Sequence, residues 1–306
     1  MAYPGHFAAT AVACYLAAQV LMRVEWLGRS WAWRSPRLAI VCWQAIGLAL
    51  GLSAIGLPIS IGLAPYGEST GNALLRLAAD LVRGTLPAGL GAPHLALVGI
   101  GFGVATVLIG STVRSLLSAL RAQRRHRDLL TLVARDDPAA PGALVLDHPS
   151  AAAYCLPGAR PRVVVSAGTL NLLDRAQLAA VLTHERAHAD ERHDLVLLPF
   201  TALCRALPWT HWVRAARETV ALLVEMRADD KARQVHADAP LAAALLRFAD
   251  APSRVTPAGA LGIADSGLDA RVQRLLVAGR PPLLPGVAAL TMATALVALP
   301  VSLFLS

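Results

Sequence analysis

The chain has 306 residues, of which 56% are hydrophobic and only 16% charged, and it carries a formal net charge of +8. This balance excludes a disordered chain, a collagen-like fibre and a small disulfide scaffold. The apolar excess is gathered into long runs, and so is the charge.

Four stretches, 1–22, 38–67, 84–113 and 281–306, contain no Asp, Glu, Lys or Arg. Each is long enough for a bilayer, which takes about 20 apolar residues in a helix. Trimming at Pro36, Pro65, Pro93 and Pro285, residues better suited to helix boundaries than interiors, predicts spans at 4–22, 40–63, 94–113 and 284–304. The first run lacks a basic start and a small-residue cleavage site, so it is read as a retained span rather than a signal peptide.

The basic residues flank these runs. Arg23, Arg29, Arg34 and Arg37 follow the first, and Arg114, Arg121, Arg124, Arg125 and Arg127 follow the third, while the 65–93 loop is balanced. By the positive-inside rule the chain starts outside, returns 65–93 to the outside and holds 114–282 in the cytoplasm, as a multi-pass membrane protein. The Arg cluster lacks interleaved aromatics, so its expected partner is the lipid bilayer and no direct nucleic acid is expected. Cys14 and Cys42 fall in spans, Cys155 and Cys204 in the cytoplasmic part, and no pair has metal-site spacing. In the outer loop Leu74, Leu77, Leu81 and Thr85 have a helical period that suits a short interfacial helix.

The Arg-rich helix is expected to run to about Ala134. Short strands are then predicted at 144–146, 154–156 and 162–166, with Pro157–Gly158 as the turn between the last two. Asp174 is an N-cap followed by Gln177 at the capping-box position and by Leu178, Val181 and Leu182 at helical spacing. Further on, 195–204 is apolar but too short to span, and predicts a buried or membrane-interface helix behind the active site. Trp209 and Trp212 suit either the headgroup region or core packing.

The helix after Asp174 carries His184-Glu185-Arg186-Ala187-His188, an HExxH motif. Residues four apart share a helical face, so both imidazoles can address one metal ion while Glu185 acts on a bound water. A catalytic site needs a third protein ligand and an open position. Downstream, Glu225 and Asp229 stand one turn apart on a predicted helix: Glu225 can coordinate, and Asp229 can accept the remaining ring N–H of a ligand histidine. Glu218 is a competitor without a paired acid one turn on. An oxyanion normally needs a further cation or imidazole, and the sequence offers His193, His211, His236 and Arg271 without choosing between them.

The strands with their Pro–Gly turn, RVVVSAG at 162–168, LDRAQLAAVLTHERAH at 173–188 and EMRAD at 225–229 together resemble the gluzincin membrane proteases. More narrowly they resemble the BlaR/MecR-type metallopeptidases, and more distantly the HtpX-type proteases, whose helix start is also similar to Asp269–Leu276. The likeness covers most of 140–275, and three spans before plus one after agree with the BlaR/MecR-type plan. It implies one Zn2+ on His184, His188 and Glu225, with Glu185 as general base and Asp229 behind the ligands. It also implies that an edge strand at Val163, Val164 and Val165 pairs with an extended protein or peptide substrate. The BlaR/MecR-type receptors continue past their last span into an extracellular penicillin-binding domain, whereas this sequence stops at Ser306, so no antibiotic-sensing serine is implied.

The expectation is therefore a mainly α membrane protein: four transmembrane helices plus a cytoplasmic α+β gluzincin metalloprotease domain with a small sheet. Its parts are a membrane domain at 1–113, the zinc metalloprotease domain at 114–282 and a last helix at 283–306. The expected activity is hydrolysis of a cytosolic regulatory protein, with a winged-helix transcriptional repressor as the partner the resemblance suggests. An HtpX-like quality-control protease and a non-proteolytic receptor or scaffold with a structural metal are the alternatives, and the sequence allows a homo-oligomer. Exposure alone marks 121–127 and 249–266 as segments open to processing.

Overall fold

The computed structural model describes residues 3–25, 31–86, 89–158, 160–251, 261–262, 267–276 and 283–305. Most of the 249–266 segment and the expected domain limit at 282 lie outside these described residues.

Helices α1 (Tyr3–Glu25), the short α2 (Trp31–Arg34) and α3 (Pro36–Gly62) are followed by α4 (Thr70–Arg83) and by α5 (Ala92–Val133). The last helix, α12 (Leu283–Leu305), closes the set. Four of these, at Pro4–Met22, Pro36–Gly62, Ala92–Val133 and Gly286–Phe304, are long and apolar enough to cross a bilayer, and match the four predicted spans. Helix α3 is the hub, packing on α1, α5 and α12. Close approach to α5 depends on glycine: a Cβ on Gly62 would meet the His94 carbonyl oxygen at 2.5 Å and one on Gly101 would meet the Ile55 carbonyl oxygen at 2.9 Å. The helix expected in the 65–93 loop is present as α4, started by the Ser69 side chain; its Ala73 and Leu77 bury against Ile59, Leu63 and Val98, while Leu81 remains exposed.

Helix α5 runs unbroken through the expected boundary at 113/114. Its 42 residues span about 63 Å at 1.5 Å per residue, roughly twice the hydrocarbon thickness. It therefore serves as both span and stalk.

Beyond α5 come β1 (Ala134–Asp136), β2 (Ala143–Leu146), β3 (Ala153–Leu156), β4 (Arg162–Ser166), α6 (Ala167–Leu172), α7 (Arg175–Asp190), α8 (His193–Ala206), α9 (His211–Arg233), α10 (Asp238–Asp250), β5 (Leu261–Gly262) and α11 (Leu268–Leu276). The sheet has the order β1-β2-β4-β3-β5. Strand β4 is parallel to β2, with Val145 opposite Val165, and antiparallel to β3, with Cys155 opposite Val163. This corrects the reading of Val163, Val164 and Val165 as an edge. The strand is interior, its backbone is paired on both sides and all three valines are buried, so they cannot receive a substrate strand. An uninterrupted β-branched run suits a strand buried on both faces. One face packs on Leu178, Val181, Leu182 and Phe248, the other on Leu130 at the end of α5.

The apolar core does not stop at the membrane helices. Cys14 and Ala18 of α1, Trp43 and Ile46 of α3, Phe200 of α8 and Val220, Leu223 and Val224 of α9 belong to one cluster. The predicted helix behind the site is α8; Pro199 interrupts it, and Gln44 of α3 donates to the Val196 carbonyl at 2.7 Å. A proline removes one helical donor, here the one that would serve the Leu195 carbonyl, and distorts the preceding turn, to which Val196 belongs. Trp212 packs edge-on against Tyr15 of α1, while Trp209 is exposed.

Candidate metal centre

Helix α7 has a defined start. Asp174 Oδ1 accepts from the backbone N–H groups of Ala176 and Gln177, both at 2.9 Å, and Gln177 Oε1 accepts from the Asp174 N–H at 3.1 Å. The reciprocal box fixes the phase of the helix. Its apolar positions then face the sheet, while His184, Glu185 and His188 are fully buried between the sheet and α9.

Helix α9 brings Glu225 and Asp229 to that face. His184 Nε2 lies 3.1 Å from His188 Nε2 and 3.4 Å from Glu225 Oε2, and His188 Nε2 lies 3.5 Å from Glu225 Oε1. Tetrahedral ligands about 2.0–2.2 Å from an ion stand roughly 3.3–3.5 Å apart, so the three side chains have the separations of a ligand set. The donor chemistry agrees. Asp229 Oδ1 is 3.0 Å from His184 Nδ1, which places the proton on Nδ1 and leaves the Nε2 lone pair facing the other two ligands. Lone pairs and a carboxylate converging in a buried space repel one another unless a proton or a metal cation lies between them.

Glu185 adds a second indication. Both its carboxylate oxygens are buried without a hydrogen-bond partner among the described residues. Burial pushes its pKa up to about 8, against the opposing influence of His184. A buried carboxylate left unpaired beside three converging donors fits a group awaiting a water and a cation. Burial alone would lower His184, but its contacts with Asp229 and Glu225 outweigh this and raise it to about 9, so a metal ion binds at Nε2 by displacing a proton from it. Burial likewise opposes ionisation of Asp229, yet Arg271 and His184 hold it well below the usual carboxylate range.

Residues 119–253 match the family model described as Peptidase family M48. The match covers less than half of the chain and shows the likeness of that segment to the metallopeptidase family. Comparison with curated proteins and with solved structures gives no match. The matched segment runs from the C-terminal third of α5 to just past α10, and so contains His184, Glu185, His188, Glu225 and Asp229.

Arg271 of α11 lies beyond the matched segment and is fully buried. It donates to Asp229 through Nε at 2.9 Å and Nη2 at 2.7 Å, and its Nη1 lies 2.9 Å from Glu225. These contacts hold the carboxylates of Glu225 and Asp229 in place, which is a different task from meeting an oxyanion. His193 packs against His188 in the same family M48 segment, with Nδ1 atoms 3.0 Å apart. His236 lies outside the cluster, its Nε2 2.8 Å from Thr183 Oγ1. His211 is exposed at the start of α9 beside Arg214. Neither geometry suits the oxyanion role considered for it. Glu218 is exposed and outside the ligand set. Two residues that sequence reasoning did not single out, Glu191 and Arg227, form a bidentate pair next to His193. Their only local sign was an acid and a base close to the ligands on each helix.

Proposed function

We propose that the chain is a multi-pass membrane zinc endopeptidase with a cytoplasmic active site, His184, His188 and Glu225 holding one Zn2+. The observation that carries this reading is the buried convergence of those three side chains around the unpaired carboxylate of Glu185. A zinc ion bound there supplies Lewis acidity for the scissile carbonyl and lowers the pKa of water. Glu185 removes a proton from the attacking water as the new C–O bond forms. It returns that proton to the departing nitrogen as the C–N bond breaks, so the carboxylate is regenerated. Asp229 orients His184, and Arg271 orients Asp229.

The arginines after the first and third spans support the cytoplasmic orientation and an inner-membrane location. The BlaR/MecR-like plan of three spans, peptidase and a further span supports a regulatory substrate such as a winged-helix repressor. The test is cleavage of a candidate repressor and of a generic unfolded protein by detergent-purified wild type and Glu185→Ala at matched zinc content. Loss of a general base is expected to lower the rate about 10²–10⁴-fold with the metal retained. Preference for the repressor selects the regulator, and equal cleavage of both substrates selects quality control. Equal rates for wild type and variant would refute the role of Glu185 and favour a structural metal.

A further inference from the structure

Helix α7 ends at Asp190, and the chain turns through Glu191 and Arg192 before α8 begins at His193. Arg192 has φ 50 and ψ 49, and among the described residues it is the single non-glycine with positive φ. A left-handed residue costs roughly 1–2 kcal/mol, and such strain persists where surrounding structure fixes it. The turn places His193 against α7, almost wholly buried. Its ring lies 4.8 Å from that of His188 at an interplanar angle of 84°.

We infer that His193, backed by Glu191 and Arg227, is a positioning residue that fixes the tautomer and orientation of His188 so that its Nε2 stays free for a metal ion. The inference rests on the metal-site reading above and extends it to residues outside the ligand set. The logic runs from the outside inward. Arg227 donates to both oxygens of Glu191, through Nε at 2.8 Å and Nη2 at 2.6 Å, and Lys231 Nζ lies 3.5 Å away, so Glu191 is held as a carboxylate. That carboxylate lies 3.5 Å from His193 Nε2, outside hydrogen-bond geometry but close enough for its charge to favour the proton there. The His193 Nδ1 is then an acceptor, and the ring nitrogen 3.0 Å from it, His188 Nδ1, must be the donor. With its proton on Nδ1, His188 turns a lone pair on Nε2 toward His184 and Glu225.

The two ligand histidines are thus supported from opposite sides by arginine–carboxylate pairs. Arg271 and Asp229 contact His184 directly; Arg227 and Glu191 reach His188 through an intervening imidazole. This arrangement turns His193 Nδ1 onto His188 and Nε2 toward Glu191, so the oxyanion role considered for it gives way to positioning.

The experiment measures the Zn2+ affinity of the detergent-purified full chain by competition with a chromophoric chelator, and the Co2+ absorption spectrum of the same samples. Loss of a partner behind a ligand histidine typically costs 10–100-fold in metal affinity. His193→Ala is expected to lose affinity on this scale and to alter the Co2+ bands. His193→Asn, whose amide oxygen can replace the Nδ1 acceptor, is expected to recover within a few-fold of wild type. Wild-type affinity in His193→Ala overturns the inference, as does an equal loss in the Ala and Asn variants, because packing rather than an acceptor would then matter. Should His193→Ala fail to fold by circular dichroism, Arg227→Gln is the deciding variant: a several-fold loss supports the relay and unchanged affinity overturns it. If the wild-type chain itself binds no metal, the proposed metal site fails first, and the inference falls with it.

Discussion

At the residue scale, Arg271 is the most exposed to test. One guanidinium pairs with the carboxylates of both Asp229 and Glu225, all three groups being buried. Removing one partner of a buried ion pair leaves an uncompensated charge and typically costs about 3–5 kcal/mol. Arg271→Ala is therefore expected to lower stability by that order in the metal-free protein, and by less with metal bound, because the cation takes over neutralisation of Glu225. Chemical denaturation with and without a chelator measures both. An equal loss in the two states would contradict the placement of Glu225 in the ligand set. The two histidines of the candidate metal centre were legible in the sequence because i and i+4 on one helix need no tertiary information. Glu225 and Asp229 were legible for the same reason, as a pair one turn apart. The tasks of Arg271 and His193 were not legible. Arg271 meets Asp229 across 42 positions of chain, and a left-handed turn decides which way His193 faces.

At the scale of elements, the turn between α7 and α8 carries its own prediction. Glycine adopts the left-handed region without a Cβ penalty, and the exposed contact of Arg192 with Asp194, at 3.4 Å, contributes little. Arg192→Gly is expected to stabilise the protein by up to about 1 kcal/mol, offset in part by the greater freedom of glycine in the unfolded chain. A fall in denaturation midpoint of similar size would argue that the turn is not strained. Three strands were readable from their β-branched and apolar runs. Strand β1, with the sequence Ala-Arg-Asp, and the two-residue β5 carry no such pattern and exist through their pairing with β2 and β3. The order of strands was also hidden. The parallel pairing of β2 with β4 passes over β3 in sequence, and non-local pairing leaves no local trace, so an interior strand was taken for an edge.

At the scale of the whole molecule, the peptidase helices and the membrane helices are built on one core. Glu225 stands on the same helix whose Val220, Leu223 and Val224 pack with α1 and α3. Arg274 of α11 donates to the Trp33 carbonyl at 2.6 Å and to Asp230 at 2.6 Å, tying the arginine-bearing helix to α2 and α9. Composition and proline positions located all four spans, but a 42-residue helix that is both span and stalk was divided in two by its change of composition. The proposed orientation predicts that a cysteine replacing Asn72 on α4 reacts with an impermeant maleimide from outside intact cells, while one replacing Arg125 on α5 reacts only after permeabilisation. The reverse pattern would place the peptidase outside.

The most direct measurement is metal stoichiometry of the purified chain beside His184→Ala, His188→Ala and Glu225→Ala. The account predicts one zinc ion per wild-type chain, with high-affinity binding lost in each variant and proteolysis lost with it. A full complement of zinc in any of the three, or cleavage that survives removal of the metal, would contradict it.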